Sequence, residues 1–436
     1  MNAEHIDTDA TGKAKPVATR DTQWPQDDVV VPQTSLTPTA TNERFVLMDV
    51  VRGFAVLGIL VMNITAFALP MAAYQNPNAM GVLAGAEYMA WWITEVFANC
   101  KFISLFSLLF GAGIALMAER ISARGGRPFI LHLRRMAGLL LIGLIHAYGF
   151  WYGDILVTYA ICGVLCFVAR DWSPPWLIAI GMAVLSVTWI LVVLFSLTVP
   201  FWPPGSIQQV ADQWAPPADH LQAEIDAYRG SWLDQSAYRV PMSLKMQLVV
   251  LPVATLWRVC GLILIGMALF KSRFILGGWR PPVYPLVAVG GIAFGLAGTL
   301  LGISLREAND SATFAMFLGL LPNDIASIPM AIGYAALLQC LLLGPLGGVV
   351  AGILAPVGRM AMTNYLGQTL ICTTLFYGHG LGGFGRLDRI ELWVVVLAIW
   401  VFQIAFSIAW LTHFKQGPVE AFWRRMTYSG AKGKKM

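Results

Sequence analysis

A histidine and an aspartate lie close together in a stretch of sequence that is otherwise almost wholly apolar. His146 stands in the run GLLLIGLIHAYGFWYGDILVTYA, and Asp154 ends the tight Tyr-Gly-Asp turn that follows it. A buried histidine beside a carboxylate can act as a general base that the carboxylate orients. The same two residues are equally typical of a hydrogen-bonded core histidine whose aspartate caps the next helix.

Two further polar residues lie deep in apolar runs. Lys101 lies in NCKFISLFSLLFGAG, far from the ends of its run, where a lysine needs a carboxylate partner or a wet cavity. Asn63 ends the run RFVLMDVVRGFAVLGILVMN and shares a helical face with Asp49 and Arg52. We expect Lys101 or Asn63 to stabilise a tetrahedral oxyanion. For Asp49 and Arg52, a simple intrahelical ion pair and one wall of a polar tunnel both fit the spacing.

Basic and amide residues provide candidates for binding a phosphorylated ligand. The segment ERISARGGRPFILHLRR is rich in arginine, which either signals membrane topology or docks a phosphate. Asn364 and Gln368 follow Arg359 on one helical face and are expected, with Asn63 and Lys101, to line the tunnel. The predicted substrate- or CoA-binding residues are Asp49, Arg52, Arg124, Arg127, Arg134, Arg135, Arg359, Asn364 and Gln368.

The composition shows what kind of protein must position these residues. Of the 436 residues, 57% are hydrophobic and 12% are charged, and the mean hydropathy is +0.66. A soluble domain carries about 25% charged residues, so this chain cannot cover a water-soluble globule. A soluble enzyme, a disordered scaffold and a nucleic-acid-binding domain are therefore excluded. The sequence predicts an all-α, polytopic transmembrane helical bundle.

Apolar runs predict about ten membrane spans in a transmembrane domain over residues 44–414. The two short spans around Asp154 could also form a single helical hairpin. The predicted spans are 46–69, 89–118, 136–151, 155–169, 176–199, 247–270, 283–304, 323–344, 353–377 and 391–413.

Lysine and arginine set the predicted orientation. Most of the 29 basic residues fall in alternate gaps between spans, which places both termini in the cytoplasm. Residues 1–43 are polar and predict a disordered cytoplasmic tail, and residues 415–436 predict a basic cytoplasmic C-terminal tail. The gap at 200–246 predicts an outer loop that lids the outer face. We expect the chain in a bacterial inner membrane.

The remaining patterns concern packing. The six cysteines fall within apolar runs and show neither a disulfide framework nor metal-ligand spacing, so we expect no metal and no tightly bound cofactor. Glycines repeat along the span at 283–304 with the spacing of close helix packing, which predicts a possible homodimer contact. The lipid bilayer is the other expected partner.

Five ordered stretches resemble the DUF418 or YeiB-like family of bacterial membrane proteins, which is sometimes associated with transport. One departure is Ala421, where the family commonly has tryptophan. The matching stretches are RFVLMDVVRGFAVLGILVMN at 44–63, KFISLFSLLFGAG at 101–113, GLIHAYGFWYGDILVTYA at 143–160, VGRMAMTNYLGQ at 357–368 and GPVEAFWRRMTY at 417–428.

The first span is also similar to that of transmembrane acyltransferases such as the lysosomal heparan glucosaminide acetyltransferase. The shared residues are Asp49, Arg52, Gly53 and Asn63. This resemblance implies transfer of an acyl group from cytosolic acyl-CoA to an acceptor on the other side. The catalytic histidine of that enzyme follows its first span, whereas this chain has no histidine between Asn63 and His132, so His146 would have to be the base.

Two functions follow from these patterns. A membrane-embedded acyltransferase would use acyl-CoA as its cosubstrate, with His146, Asp154, Lys101 and Asn63 as the catalytic residues. A small-molecule transporter or exporter would use the same polar residues as a translocation path. Transporters commonly consist of two related halves, and the motif of the first span does not recur in the second half.

Overall fold

The computed structural model describes residues 45–309 and 311–428, and every regular element within these ranges is a helix. This confirms the predicted all-α bundle. The predicted tail at 1–43 lies outside the described residues, as does the end of the basic C-terminal segment after residue 428.

Eight helical segments of the described chain are long and apolar enough to cross a membrane. The chain is therefore a membrane protein. These segments are Val46–Ala68, Gly85–Ala123, Pro128–Gly149, Pro174–Phe201, Trp232–Lys271, Val283–Glu307, Leu318–Leu343 and Arg389–His413.

Breaks and short connecting helices divide the chain further. The α-helices are α1 (Val46–Ala68), α2 (Ala72–Gln75), α3 (Gly85–Phe97), α4 (Lys101–Ala123), α5 (Pro128–Gly149), α6 (Leu156–Cys166), α7 (Pro174–Thr198), α8 (Pro204–Trp214), α9 (Ala218–Arg229), α10 (Trp232–Lys245), α11 (Leu256–Lys271), α12 (Val283–Glu307), α13 (Ala312–Met316), α14 (Leu321–Leu343), α15 (Gly347–Arg359), α16 (Ala361–Phe376), α17 (Arg389–His413) and α18 (Pro418–Tyr428). A wide π-helical segment, Met246–Thr255, joins α10 to α11 and contains Pro252.

Three of the ten predicted spans are not single long helices. The span predicted at 89–118 is divided at Cys100 between α3 and α4. The span predicted at 155–169 contains α6, which has 11 residues, and a 3₁₀ turn. The span predicted at 353–377 is interrupted at Met360, whose φ of −115° and ψ of 30° are not helical. Apolar composition alone does not reveal such breaks, because both helices beside a break remain apolar.

Helix α1 lies at the centre of the bundle and packs against α4, α15, α16 and α17. Its contact with α15 depends on glycine. A side chain at Gly53 would clash with the Leu354 carbonyl oxygen, and one at Gly358 would clash with the Asp49 carbonyl oxygen. The two backbones can therefore approach closely only because both positions lack a Cβ.

The glycines of α12 have a similar role within the chain. A Cβ at Gly291 would clash with the Pro329 carbonyl oxygen, and one at Gly295 would meet the side chain of Met330. The glycine-rich face is thus covered by α14. These glycines pack within the chain, and a homodimer contact through 283–304 stays a prediction.

The segment predicted as an outer loop at 200–246 folds into α8, α9 and α10. Glu224 of α9 accepts a hydrogen bond from the backbone N–H of Met71, at 3.0 Å, next to α2. Asn76 donates to the carbonyl oxygen of Trp214, at 2.8 Å. These contacts attach the segment to the connection between α1 and α3.

Candidate functional site

Three cavities adjoin one another along α1. We call them the basic, middle and far cavities, and their volumes are about 350, 220 and 370 Å³. Asp49 and Arg52 line the basic cavity, Ile59 lies between the middle and far cavities, and Asn63 lines the far cavity. From Asp49 to Asn63 the helix rises about 21 Å at 1.5 Å per residue. The cavities therefore follow α1 across much of the hydrocarbon thickness of about 30 Å.

The basic cavity carries far more positive than negative charge. Asp49 and Arg52 form an intrahelical ion pair at 3.0 Å, and both side chains also line the cavity. The ion pair and a position in the cavity wall therefore occur together. The predicted residues Arg135 and Arg359 lie in the same wall. The charged residues that line this cavity are Asp49, Arg52, Arg120, Arg135, Arg359, Lys415, Glu420 and Arg424.

Helix α18 closes this end of the bundle. The indole N–H of Trp423 donates to the carbonyl oxygen of Arg135, at 2.8 Å, and the Arg135 guanidinium lies 4.4 Å from the Trp423 ring centre. Glu420 accepts hydrogen bonds from the backbone N–H groups of Met362 and Thr363, at 2.7 and 3.1 Å. A carboxylate at these N–H groups stabilises the N-terminus of α16. The predicted basic tail therefore contains a helix that forms part of the cavity wall.

The far cavity lies beside Asp154, and its mainly apolar wall carries a few neutral polar groups. Asn63 is half-buried, lines this cavity and makes no hydrogen bond to another described residue. Thr158 and Gln247 also line it. Asn63 is thus available to donate to a bound molecule, as the oxyanion prediction requires.

His146 is held between two side chains behind the far cavity. Its Nδ1 lies 2.6 Å from Asp154 Oδ2, and its Nε2 lies 2.9 Å from the Thr369 hydroxyl. With Asp154 as a carboxylate and the imidazole neutral, Nδ1 donates to Asp154 and Nε2 accepts from Thr369. Asp154 also accepts from the Val157 N–H, at 2.8 Å, and so caps α6. Both predicted roles of Asp154, orienting the ring and capping the helix, are met in the geometry.

Access to His146 depends on its neighbours. The His146 side chain is 3% exposed and does not line the far cavity, whereas Asp154 and Tyr365 do. The rings of His146 and Tyr365 lie 5.4 Å apart. This arrangement has the order of acid, histidine and hydroxyl that is found in nucleophilic triads, but it is closed in this conformation.

Several predicted binding residues lie elsewhere. Asn364 donates to Ser407 at 3.0 Å, and Gln368 donates to Gln403 at 3.0 Å and to the Val56 carbonyl oxygen at 3.1 Å. Both amides join helices to one another, and neither lines one of the three cavities. The same holds for three predicted arginines of the basic loop and its following helix. They are Arg124, Arg127 and Arg134.

Lys101 lies at a break between α3 and α4, where Cys100 has a left-handed φ of 64°. The break turns the Asn99 N–H to the Thr94 carbonyl oxygen and leaves the Glu95 carbonyl oxygen without its helical partner. The Lys101 ammonium donates to that carbonyl oxygen at 2.9 Å and to Asn323 Oδ1 at 2.5 Å. Lys101 lines none of the three cavities, so the structure separates it from His146.

A network of ion pairs surrounds Lys101. Arg306 binds Glu95 at 2.5 Å, and Arg258 binds Asp324 and donates to Ser104 at 2.7 Å. The partner of Arg258, Asp324, comes from α14, so neither helix alone reveals the pair.

Other residues of the site also escaped sequence reasoning. Thr369 is one turn after Tyr365 in an otherwise ordinary helix, and only the assembled bundle brings it to His146. Glu420 and Trp423 could have been singled out from the amphipathic pattern of 418–428. Among the described residues, no group of three or more His, Cys, Asp or Glu is placed to hold a metal ion.

Comparison with known proteins gives relatives along most of the chain. The profile of a family described as protein of unknown function (DUF418) matches residues 269–430. The uncharacterized protein YeiB of Escherichia coli (strain K12) is 36% identical over 394 residues, which cover 89% of this chain and 97% of YeiB. The uncharacterized protein YxaH of Bacillus subtilis (strain 168) is 32% identical over 419 residues, covering 90% and 96%.

A third relative is more distant. An uncharacterized 39.9 kDa protein in the amylase 3′ region of Bacillus acidopullulyticus is 27% identical over 408 residues, covering 90% of this chain and 96% of its own. No solved structure matches the chain significantly. None of the relatives' names states an activity, so the similarity to transmembrane acyltransferases stays a prediction.

Proposed function

Since the chain belongs to the DUF418 family, a family of membrane proteins without an assigned activity, we propose a function from its site. We propose that it is a membrane-embedded acyltransferase, which moves an acyl group from cytosolic acyl-CoA to an acceptor on the opposite side. The proposal depends on one observation. The Asp154–His146 pair lies beside the far cavity, at the end of a series of cavities that begins at a cluster of arginines.

The basic cavity suits the phosphates of CoA. Arginine binds phosphate through two parallel hydrogen bonds, and several arginines converge on this cavity. By the distribution of Lys and Arg this end faces the cytoplasm, where acyl-CoA is found. We place the protein in the bacterial inner membrane on the same argument.

The reaction uses His146 as the base. A hydroxyl or amine of the acceptor gives its proton to Nε2 and attacks the thioester carbonyl carbon, which forms a tetrahedral oxyanion. The C–S bond then breaks, the acyl group stays on the acceptor, and the CoA thiolate takes the proton from the imidazolium. Asp154 holds the Nδ1 proton throughout, and Asn63 is placed to donate to the oxyanion. The Thr369 hydroxyl must leave Nε2, or pass the proton on, and the Tyr365 ring must move before the acceptor reaches His146.

Turnover by the purified full-length protein in lipid nanodiscs tests this proposal. Radiolabelled acetyl-CoA is supplied with cell-wall and outer-membrane precursors, and labelled product is measured. General-base catalysis contributes about 10²–10⁴-fold, so His146→Ala should lower the rate by at least about 100-fold. His413→Ala is the matched control, since His413 is an exposed histidine outside the three cavities. Absence of CoA binding by the unaltered protein, or wild-type turnover in His146→Ala, would contradict the proposal.

Transport of a small molecule is the second candidate. Adjoining cavities and broken helices are typical of transporters, and this chain has breaks at Cys100 and Met360. Uptake of a solute into proteoliposomes without any covalent product would favour transport over acyl transfer.

A further inference from the structure

We propose that the middle cavity binds a flexible, largely apolar arm that carries secondary amides, and that His132 and Tyr365 recognise those amides. In CoA such an arm joins the phosphates to the thioester. The inference rests on the proposed function in taking CoA as the ligand, but it concerns binding and does not require turnover.

The middle cavity connects the two places that the arm must join. It shares Arg52, Arg135 and Arg359 with the basic cavity, and Ile155 and Tyr365 with the far cavity. A ligand whose phosphates lie among the arginines and whose thioester lies beside Asp154 must therefore pass through it.

The wall of the middle cavity is mainly apolar. Phe106, Leu109, Ile114 and Leu139 contribute aliphatic and aromatic surface. The Tyr159 hydroxyl is already bonded to Ser107, at 2.9 Å. Such a wall suits the methylene and methyl groups of an arm.

Two buried polar atoms in this wall have no partner among the described residues. His132 is 1% exposed, and its Nε2 donates to the Gly163 carbonyl oxygen at 2.9 Å, which leaves Nδ1 as an unused acceptor. Tyr365 is 5% exposed, and its hydroxyl donates to no described residue. Buried polar groups are nearly always hydrogen-bonded, so two such atoms in one cavity indicate a ligand. An amide N–H fits His132 Nδ1, and an amide carbonyl oxygen fits the Tyr365 hydroxyl.

Gly113 makes this cavity testable. It lies in the wall, and a Cβ at this position would meet no atom within 4 Å. A leucine there would fill space that the arm needs, and it is a better helix former than glycine, so the fold should persist. Gly290 is a matched control, because a Cβ there also meets nothing within 4 Å and it lies on exposed α12, outside the three cavities.

The experiment compares two probes by titration calorimetry on the full chain in nanodiscs of zwitterionic lipid. The probes are CoA, and adenosine 3′-phosphate 5′-diphosphate, which carries the same three phosphates but no arm. We expect CoA to bind at least about tenfold more tightly than this nucleotide. Gly113→Leu should remove this difference and leave the affinity for the nucleotide unchanged. Tyr365→Phe, which deletes one hydroxyl, should weaken CoA alone by about threefold to tenfold.

Each result of this titration either supports or overturns the inference. Equal affinities of the two probes for the unaltered protein, or an unchanged ratio in Gly113→Leu, would overturn the inference. An equal loss in Gly290→Leu would assign the effect to the bundle as a whole and would overturn it too. Tight, arm-dependent CoA binding without any acyl transfer would support the inference while the proposed function fails. Acyl transfer without any contribution of the arm to CoA binding would support the proposed function and overturn the inference.

Discussion

The surroundings of His146 and of Lys101 differ although both side chains are buried in the membrane-spanning part of the chain. His146 lies behind the far cavity, where Asn63 and the hydroxyl of Tyr365 lack partners. Lys101 is 0% exposed, lines none of the three cavities, and has its ammonium bonded to the Glu95 carbonyl oxygen and to Asn323. Unused hydrogen-bonding capacity next to empty space therefore distinguishes a candidate site from a structural network.

The break between α3 and α4 explains the polar network around Lys101. A continuous helix from α3 to α4 would satisfy its carbonyl groups internally, and in lipid any carbonyl freed by a break must find another donor. Lys101 provides that donor for the Glu95 carbonyl oxygen. The two carboxylates of Glu95 and Asp324 then offset the charges of the arginines.

The largest effect should come from breaking the largely buried pair of Arg258 and Asp324, whose side chains are 11% and 21% exposed. Asp324→Ala leaves the Arg258 charge without a counterion and the Trp189 indole N–H, now 2.9 Å from Asp324, without its acceptor. Loss of one partner of a buried pair costs about 3–5 kcal/mol. Thermal unfolding in detergent should show this loss.

Two control variants test whether the loss of stability comes from the unpaired charge of Arg258. The double variant Arg258→Met with Asp324→Leu should recover much of the stability, because no unpaired charge remains. Asp171→Asn should change little, since Asp171 is 77% exposed in its pair with Arg170 and surface pairs contribute about 0–1 kcal/mol. An Asp324→Ala protein as stable as the unaltered chain would remove the distinction between the two regions.

A smaller loss is expected at Lys101. Lys101→Met keeps a long side chain but leaves the Glu95 carbonyl oxygen and Asn323 without their donor, which costs about 1–3 kcal/mol. The folded variant should bind CoA as the unaltered protein does, because Lys101 lines none of the cavities. Weaker CoA binding at full stability would place Lys101 in the site.

The class of the protein follows from composition, but the division between site and network does not. Apolar runs are sufficient for a helical membrane bundle, since the lipid interior accepts few other structures. The depth of Lys101 in its run identified it as constrained, yet its partner Asn323 is 222 positions away. Spacing along one helix predicts neighbours only within that helix, so Asp49 with Arg52 could be paired from the sequence.

Contacts between helices set the remainder of the site. The pair of His146 and Asp154 was within reach of sequence reasoning because one tight turn joins them. Thr369 comes from α16 and Asp324 from α14, and only the packing of the bundle brings them to His146 and Arg258. Asn364 and Gln368 share one helical face as predicted, but that face meets α1 and α17 rather than a cavity.

Glu224 is a third buried group to compare with His146 and Lys101. Its carboxylate has no arginine or lysine at salt-bridge distance among the described residues. Burial raises the pKa of Glu224 from 4.5 to about 7. The folded protein then keeps a proton that the unfolded chain releases above pH 4.5, so stability is greatest below that pH and falls as the pH rises through 7. The slope is at most about 1.4 kcal/mol per pH unit.

Hydrogen exchange of α9 at pH 5.5 and pH 8 measures this effect. Exchange should be faster at pH 8, after correction for the intrinsic rate, because burial disfavours the ionised form of the Glu224 carboxylate. Glu224→Gln should remove the pH dependence, whereas Asp226→Asn, at an exposed position on the same helix, should keep it. Equal protection at both pH values would show that burial of Glu224 has no such consequence.

The smallest effect on stability is expected at Asn63, whose side chain lines the far cavity and has no hydrogen-bond partner among the described residues. Asn63 makes no hydrogen bond to a described residue, so Asn63→Leu should change the free energy of unfolding by no more than about 0.5 kcal/mol. Removal of one oxyanion donor typically lowers kcat by about 10²–10³-fold, so activity should fall while the fold persists. Thermal unfolding and turnover, measured on the same preparation, check both statements. A variant that loses stability and keeps its turnover would assign Asn63 to the structural network instead.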